Sequence, residues 1–413
     1  MNMTSCNWPE LRIRDIGVVI TGRTPSTERP SYFGQDFPFI TPGDMHQGKY
    51  AREMQRLLSH EGAELLRRIK LPPNSVCVSC IGWQMGEVIM TDRPSFTNQQ
   101  INTIVPNSRI DSSFLYYSLR TRKRELLLLG SAAGVRTPIL NKSSFCETKI
   151  VVPPISAQQR IAAILSTYDE LIENSQRRIK VLESMARVLY REWFVQFLFP
   201  NHHNHPLVDS PLGKIPLGWE LKTIQDFGKV ITGKTPSKAN AAYFGEEVQF
   251  LKTPDMHGNM FILETNEGLS SSGASSQANK TLPVGSICVS CIGTVGVVSI
   301  TTEECQTNQQ INSIMLTNAA SREFLFLRLQ DAKQALENLG SNGATMGNVN
   351  KAKFESMEII TPSTDLLNRY HQIAEPMFLQ ILALARQIKT LSHTRDLLLP
   401  RLLSGQINVE SIA

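Results

Sequence analysis

The sequence has no apolar run long enough to cross a membrane. Its longest uncharged apolar stretches, such as 126–129 and 287–292, fall far short of the roughly 18 residues a spanning helix needs. Cysteine is scarce: seven residues, an odd number, spread over 413 positions fit reduced thiols rather than a disulfide framework. The first fifteen residues hold Glu10, Arg12, Arg14 and Asp15 where an export signal would need an apolar segment. The expected location is therefore the cytoplasm, with no membrane partner. Low-complexity tracts are missing too, and 41% hydrophobic against 19% charged residues predicts an ordered chain throughout. Its 413 residues exceed a single core and predict two or three domains.

Catalytic signatures are also lacking. There is no Gly-x-Ser-x-Gly elbow, no His-Glu-x-x-His, no Rossmann fingerprint and no Asn-Pro-Pro-aromatic tetrapeptide of an amino-methyltransferase. The expectation is a non-catalytic recognition protein. The net charge of +5 is modest but unevenly placed: +6 over 1–155, +1 over 156–200, −4 over 201–365 and +2 over 366–413. A basic first third suggests a polyanionic partner, and the acidic third segment argues against a uniform nucleic-acid clamp.

What is present is one long-period repeat. Val19-Ile-Thr-Gly-Arg-Thr-Pro-Ser26 returns as Val230-Ile-Thr-Gly-Lys-Thr-Pro-Ser237, displaced by 211 residues. The same displacement relates Tyr32-Phe33-Gly34 to Tyr243-Phe244-Gly245, Asp44-Met45-His46 to Asp255-Met256-His257, and Cys77-Val-Ser-Cys-Ile-Gly82 to Cys288-Val-Ser-Cys-Ile-Gly293. One deletion later, Thr97-Asn-Gln-Gln-Ile-Asn102 matches Thr307-Asn-Gln-Gln-Ile-Asn312. Such blocks at nearly constant spacing predict two copies of one domain. Short β-prone runs broken by Gly, Pro, Asn and Asp predict an α+β domain with a mixed sheet.

After each copy the apolar period changes from 2 to about 3.5. One seam runs through Ile161, Ile164, Tyr168, Leu171, Ser175, Leu182, Met185 and Leu189. A second runs through Tyr370, Ile373, Met377, Leu384, Ile388, Leu391 and Leu398. Each predicts a helix of about 35–40 residues, roughly 55 Å long, with Ser156 and Ser363 or Thr364 as N-caps and a kink or restart at Pro376. A lone apolar stripe would be exposed, so the helices are expected to pair as an antiparallel coiled coil. The predicted organisation is an α+β domain over 1–155, a central helical region over 156–200, a solvated linker over 201–217, a second α+β domain over 218–362 and a C-terminal helical region over 363–413. Pseudo-twofold symmetry is expected of the whole. His202, His203 and His205 in the linker have no Cys or carboxylate partners at ligand spacing, so a metal site is not expected there.

Gly228-Lys-Val-Ile-Thr-Gly-Lys234-Thr235 fits a P-loop pattern. However, Val-Ile-Thr is β-prone in both copies, Arg23 replaces the Lys in the first, and Pro25 or Pro236 follows the Thr directly. A strand ending in a Gly turn is the better reading. The two Cys-x-x-Cys pairs lie in extended runs that send i and i+3 to opposite faces, which predicts buried strand cysteines and no zinc. Asn98, Gln99 and Gln100, with Asn308, Gln309 and Gln310, carry carboxamides of the kind that pair with adenine's major-groove edge. Equally, such side chains tie down loops. Segments that differ between the copies are candidates for setting sequence preference: His46–Pro73 against His257–Pro283, Trp83-Gln84-Met85 against Thr294-Val295, and Ala132–Ile139 against Asn342–Val349. Arg120, Arg122, Lys123 and Arg124 offer phosphate contacts or a solvated helix face.

This arrangement resembles, over essentially the whole chain, the specificity (S) subunit of type I restriction-modification systems. The resemblance is carried by Val152-Pro-Pro-Ile-Ser-Ala-Gln-Gln-Arg-Ile161, Leu189-Tyr-Arg-Glu-Trp-Phe194, Arg395-Asp-Leu-Leu-Leu-Pro-Arg-Leu-Leu-Ser-Gly-Gln-Ile407, the two Gly-x-Thr-Pro loops and Pro216-Leu-Gly-Trp-Glu220. It implies two target-recognition domains, each reading one half of a bipartite sequence in double-stranded DNA. It also implies helices that set the gap and dock two methyltransferase (M) subunits, with two restriction (R) subunits completing the assembly. S-adenosylmethionine and ATP with Mg belong to those partners. On this reading the DNA-binding candidates are Arg23, Thr24, His46, Trp83, Gln84, Asn98, Gln99, Gln100 and Arg136 in the first copy. In the second they are Lys234, Thr235, His257, Thr294, Asn308, Gln309, Gln310 and Asn348. The partner-binding candidates are Gln159, Arg160, Trp193, Phe194, Arg395, Leu399, Pro400 and Leu403. The copies are more alike than such domains commonly are, so the half-sites are expected to share bases. Two other classes stay open at this stage: a coiled-coil scaffold without sequence readout, and a P-loop nucleotide-binding protein.

Overall fold

The computed structural model describes residues 8–131, 137–341 and 347–409. The chain divides into two units, Met1–Glu173 with Lys389–Ala413, and Asn174–Ile388. Each holds one copy of the repeat and a part of both long helices.

In the first unit the β-prone runs pair as a four-stranded antiparallel sheet. Its order is Gly17–Thr21, Ile101–Pro106, Val76–Ser79 and Val88–Met90. A second sheet holds Leu57–Leu58, Phe33–Ile40 and Phe96–Thr97, the last pair parallel with Phe39 opposite Phe96. Period-2 alternation divides the strand Val76–Ser79 between two cores. Val76, Val78 and Cys80 pack with Phe114, Tyr117, Ile161 and Leu165, whereas Cys77 packs with Ile40, Ile89 and Ile101.

The second unit repeats the plan. Its larger sheet runs Gly228–Thr232, Ile311–Leu316, Ile287–Ser290, Val298–Thr301 and Phe261–Ile262. Its smaller sheet joins Phe244–Leu251 to Gly268–Leu269 and, in parallel, to Cys305–Thr307. Cys288 and Cys291 again fall in different cores. The mixed α+β fold expected from the sequence is thus present in both copies.

The helices are Ile155–Tyr190, continued by one wider turn through Arg191–Val195, and Thr364–Leu403. Within the first unit they run antiparallel: Arg160 donates to the Val409 carbonyl at 3.1 Å, and Asp169 meets Arg395 at 2.6 Å. Within the second unit Trp193 stacks near Tyr370, with ring centroids 5.8 Å apart, and 174–182 face Gln380. Three expectations need correction. The helix Thr364–Leu403 passes Pro376 unbroken, because Pro376 and Gln372, whose carbonyl loses its bond, both lie on the exposed face while Tyr370, Ala374 and Phe378 anchor the other. Ser156 lies inside the first helix rather than capping it, whereas Ser363 does cap the second, its Oγ accepting from the Leu366 amide at 3.3 Å.

The third correction concerns the apolar stripes. Of the predicted seams, Ile161, Ser175, Tyr370 and Leu384 are buried but Leu171, Met185 and Ile373 are exposed, and burial extends to Leu165, Ile172, Ala186 and Tyr190 on one helix and Leu366, Leu367, Ala374, Phe378 and Ile381 on the other. The buried face is broader than the seam because these helices also bury themselves against the adjoining α+β domain. In the same way, the linker is partly structured: Leu207–Ser210 and Gly213–Pro216 form a hairpin, and the rings of His202 and His205 bond to the carbonyls of Phe199 and Leu217.

Candidate nucleic-acid interface

The repeated motifs converge on one platform in each unit. In the first, Gly22 ends its strand and lies so close to Thr97 and Asn98 that a Cβ would sit 2.2 Å from the Asn98 carbonyl oxygen. That is why the position is glycine. The chain then turns, Arg23 N–H donating to the Thr97 carbonyl at 2.9 Å and the Thr24 hydroxyl donating to Gln99 Oε1 at 2.7 Å. Asn98 closes a small ring with Gln100: its Nδ2 donates to Gln100 Oε1 at 3.0 Å and its Oδ1 accepts from the Gln100 amide at 3.1 Å. Beneath them Thr21 bonds to Asn102 at 2.7 Å.

The second unit reproduces every one of these bonds. Lys234 N–H reaches the Thr307 carbonyl at 2.9 Å, Thr235 reaches Gln309 Oε1 at 2.7 Å, and Asn308 and Gln310 exchange the same pair at 3.0 and 3.1 Å. A Cβ on Gly233 would meet the Asn308 oxygen at 2.2 Å. This geometry removes the P-loop reading, because the backbone N–H groups of Gly233 and Lys234, which a phosphate would need, are spent on Ile311 and Thr307.

The Asp-Met-His repeats are explained here as well, a role that composition and spacing did not suggest. Asp44 is buried and accepts from the Thr41 amide at 2.8 Å and the Gln55 amide at 3.0 Å; Asp255 does the same for Lys252 and Asn266. Met45 and Met256 fill the cores beneath, which leaves His46 and His257 exposed. The aspartate holds the turn and the histidine is displayed by it.

Arg23, Lys234, Gln99 and Gln309 are exposed, Thr24, Thr235, Gln100 and Gln310 half-buried, and Asn98 and Asn308 buried. The carboxamides therefore serve as framework first. Since the Gln99 and Gln309 carbonyls accept from threonine, each exposed glutamine keeps its NH2 group as a donor. The platform continues through the Cys80 amide, bonded to the Gln100 carbonyl at 2.8 Å, to the loop bearing Trp83 and Gln84; Gln84 Oε1 lies 3.2 Å from His46 Nε2. In the second unit the Cys291 amide bonds to Gln310, and the shorter loop carries exposed Thr294; Asn348 is exposed beside it, its amide bonded to Gly340. Arg136 lies outside the described residues. The basic run is largely committed within its domain: Arg120 stacks on Tyr116, Arg122 donates to the Lys149 carbonyl at 2.6 Å, and Lys123 pairs with Glu87.

Several partner-binding candidates face inward. Trp193 and Phe194 are core residues among Tyr190, Trp219, Phe324 and Tyr370, Leu399 is buried, Leu403 packs against the first core, and Arg395 is held by Asp169. Gln159, Arg160 and Pro400 are exposed. Among the exposed apolar positions of the first helix are Val181, Met185 and Val188, whose spacing puts them on one face. Burial also pushes the strand thiols up, Cys77 and Cys288 to about 12 and Cys80 and Cys291 to about 11. They are inert core groups. Among the described residues no group of three or more His, Cys, Asp or Glu could hold a metal ion, and no helix is long and apolar enough to cross a membrane.

A duplicated pair of α+β domains, each presenting a hydrogen-bonded loop platform and each followed by a long helix, defines a two-module recognition protein. The chain belongs to the type I restriction-modification family: the model of the type I restriction modification DNA specificity domain matches it twice, over residues 6–184 and 216–388. It is 30% identical to the type I restriction enzyme HindI specificity subunit of Haemophilus influenzae, across 97% of this chain and all of that one. It is 28% identical to the MjaIX specificity subunit of Methanocaldococcus jannaschii, across 98% and 95%. The crystal structure of the type I restriction-modification S subunit from M. genitalium shares the fold, with a TM-score of 0.64 at 14% identity over 97% of this chain and 98% of that one.

Proposed function

We propose that this chain is the non-catalytic specificity subunit of a type I restriction-modification complex, in which each α+β domain reads one half of a bipartite site in double-stranded DNA. Two M subunits dock on the helices and two R subunits complete the complex; S-adenosylmethionine and ATP with Mg act on those partners. The observation that carries the reading is the contrast within each platform. The bonds of the Gly-x-Thr-Pro and Thr-Asn-Gln-Gln segments are the same in the two units, while the loop displayed beside them differs, with exposed Trp83 and Gln84 in one and Thr294 in the other. A scaffold has no reason to hold a framework constant and vary only what it displays. The first domain supplies most of the positive charge toward phosphate, and the exposed face of Val181, Met185 and Val188 offers an M subunit apolar contact.

The test is to co-express the chain with the methyltransferase subunit encoded beside it in a methylation-free host and map N6-methyladenine by single-molecule sequencing. The expected result is one motif of two short half-sites around a fixed unspecified gap, with bases shared between the halves. A complex that assembles and binds S-adenosylmethionine yet methylates no motif would overturn the proposal in favour of a scaffold.

A further inference from the structure

The two platforms differ most sharply in one loop. Between Gly82 and Gly86 the first unit has Trp83, Gln84 and Met85; between Gly293 and Gly296 the second has only Thr294 and Val295. Met85 and Val295 are both buried, so they correspond, and the first loop displays two residues where the second displays one. Gly82 and Gly86 hold φ of 94° and 88°, left-handed values suited to glycine.

The loop is pinned from every side. The Gly82 amide bonds to Pro138 at 2.9 Å, the Met85 amide to Gly82 at 3.0 Å and the Gly86 amide to Ser79 at 2.9 Å, while Ser79 Oγ donates to the Gln84 carbonyl at 3.1 Å. On this mount Trp83 is left 69% exposed. Displaying so large an apolar ring on an ordered turn is costly in water and useful in an interface, where aromatic anchors dominate binding. Beside it, Gln84 Oε1 is occupied by His46 Nε2, which must be the donor since an amide oxygen only accepts. Gln84 therefore presents its NH2 group as a hydrogen-bond donor next to an indole.

We propose that Trp83 and Gln84 determine specificity in the first domain's half-site by recognising thymine. This rests on the DNA-reading function proposed above. Thymine places a C5-methyl group and the O4 acceptor side by side in the major groove, and no other base presents that pair. The indole takes the methyl and the Gln84 NH2 takes O4. The second domain, with Thr294 alone, has no counterpart, so its half-site is read at one position fewer.

The experiment uses the co-expressed complex. The wild-type motif is mapped first, and a complex without any bipartite motif defeats the DNA-reading proposal itself. Given a motif, the half-site changed by substitutions in the first domain should contain a T·A pair that becomes degenerate in Trp83→Ala and Gln84→Ala, discrimination falling about tenfold or more, with the other half and the gap unchanged. On a duplex with deoxyuridine in place of that thymine, wild type should methylate roughly fourfold more slowly, the effect of one methyl-sized group, and W83A should be indifferent. A half-site without thymine, an unaltered W83A motif, or an equal uracil effect in W83A and wild type overturns the inference. If W83A is silent, uracil sensitivity retained in Trp83→Phe supports it, and silence in both variants assigns Trp83 to folding instead.

Discussion

Arg395 and Asp169 meet at 2.6 Å, Nη1 donating to Oδ1, although 226 residues of chain separate them. Both side chains are largely buried, and Asp169 Oδ2 also accepts from the Tyr117 hydroxyl at 2.6 Å. One carboxylate thus ties the first domain and both long helices together within the first unit. Asp169→Ala removes two charge-assisted bonds and leaves Arg395 paired with Asp396, whose carboxylate is exposed. The expected loss is on the order of 2–3 kcal/mol, between the ~0–1 of exposed pairs and the ~3–5 of broken buried ones. Urea unfolding of the two single variants and the double Asp169→Ala/Arg395→Ala should show them to be strongly non-additive; additive losses would refute the coupling.

The same cluster contains Lys49, half-buried, its Nζ bonded at 2.9 Å to both Ser113 and Ser166. Burial lowers its pKa below the ordinary 10.5, against the raising effect of Asp169, Asp111 and Glu170. The native state therefore releases this proton more readily than the unfolded chain. Stability contributed by the group rises with pH through the window from the lowered value up to about 10.5. Met260 occupies the corresponding place in the second unit, where Ile300 bonds to its carbonyl at 2.8 Å as Met90 does to Lys49 at 2.7 Å. Lys49→Met should abolish that alkaline gain, read as the change in urea midpoint between pH 8 and 10.5; an unchanged slope would contradict it.

Gly22→Ala and Gly233→Ala should each disrupt a platform, since the added Cβ meets backbone oxygen at 2.2 Å on either side of the repeat. A cost of about 1–3 kcal/mol is expected for such overpacking. Lys234→Ala, an exposed position, should be neutral to within about 0.5 kcal/mol. Thermal unfolding of the three variants decides it, and equal effects would overturn the close-approach account.

Thiol labelling gives an independent check on the strand cysteines. Cys77, Cys80, Cys288, Cys291 and Cys305 are buried, with pKa values pushed up by burial, whereas Cys146 is partly accessible. Iodoacetamide at pH 8 followed by mass spectrometry should label Cys146 and spare those five until denaturant is added. Rapid native labelling of Cys77 or Cys288 would contradict their placement.

The duplication, the β-prone runs and the two long helices are all legible in the residues, because they depend on short-range patterns. Alternation in Cys77-Val-Ser-Cys80 is enough to send its thiols to opposite faces, and Val-Ile-Thr before Gly22 or Gly233 is enough to predict a strand and a turn. The family resemblance was legible too, since it rests on the order of local motifs. Which face of each helix is buried was legible only in part, because that also depends on the domain it packs against: Ile161 and Tyr370 fit the heptad and are buried, Leu171 and Ile373 fit it and are exposed, and Trp193 and Phe194 belong to a core. The roles of Asp44 and Asp255 as turn anchors, and the use of the glutamine carbonyls by Thr24 and Thr235, were likewise decided only by tertiary structure. A hydrogen bond across 75 residues is fixed by how two strands come to lie side by side, and no local periodicity records that.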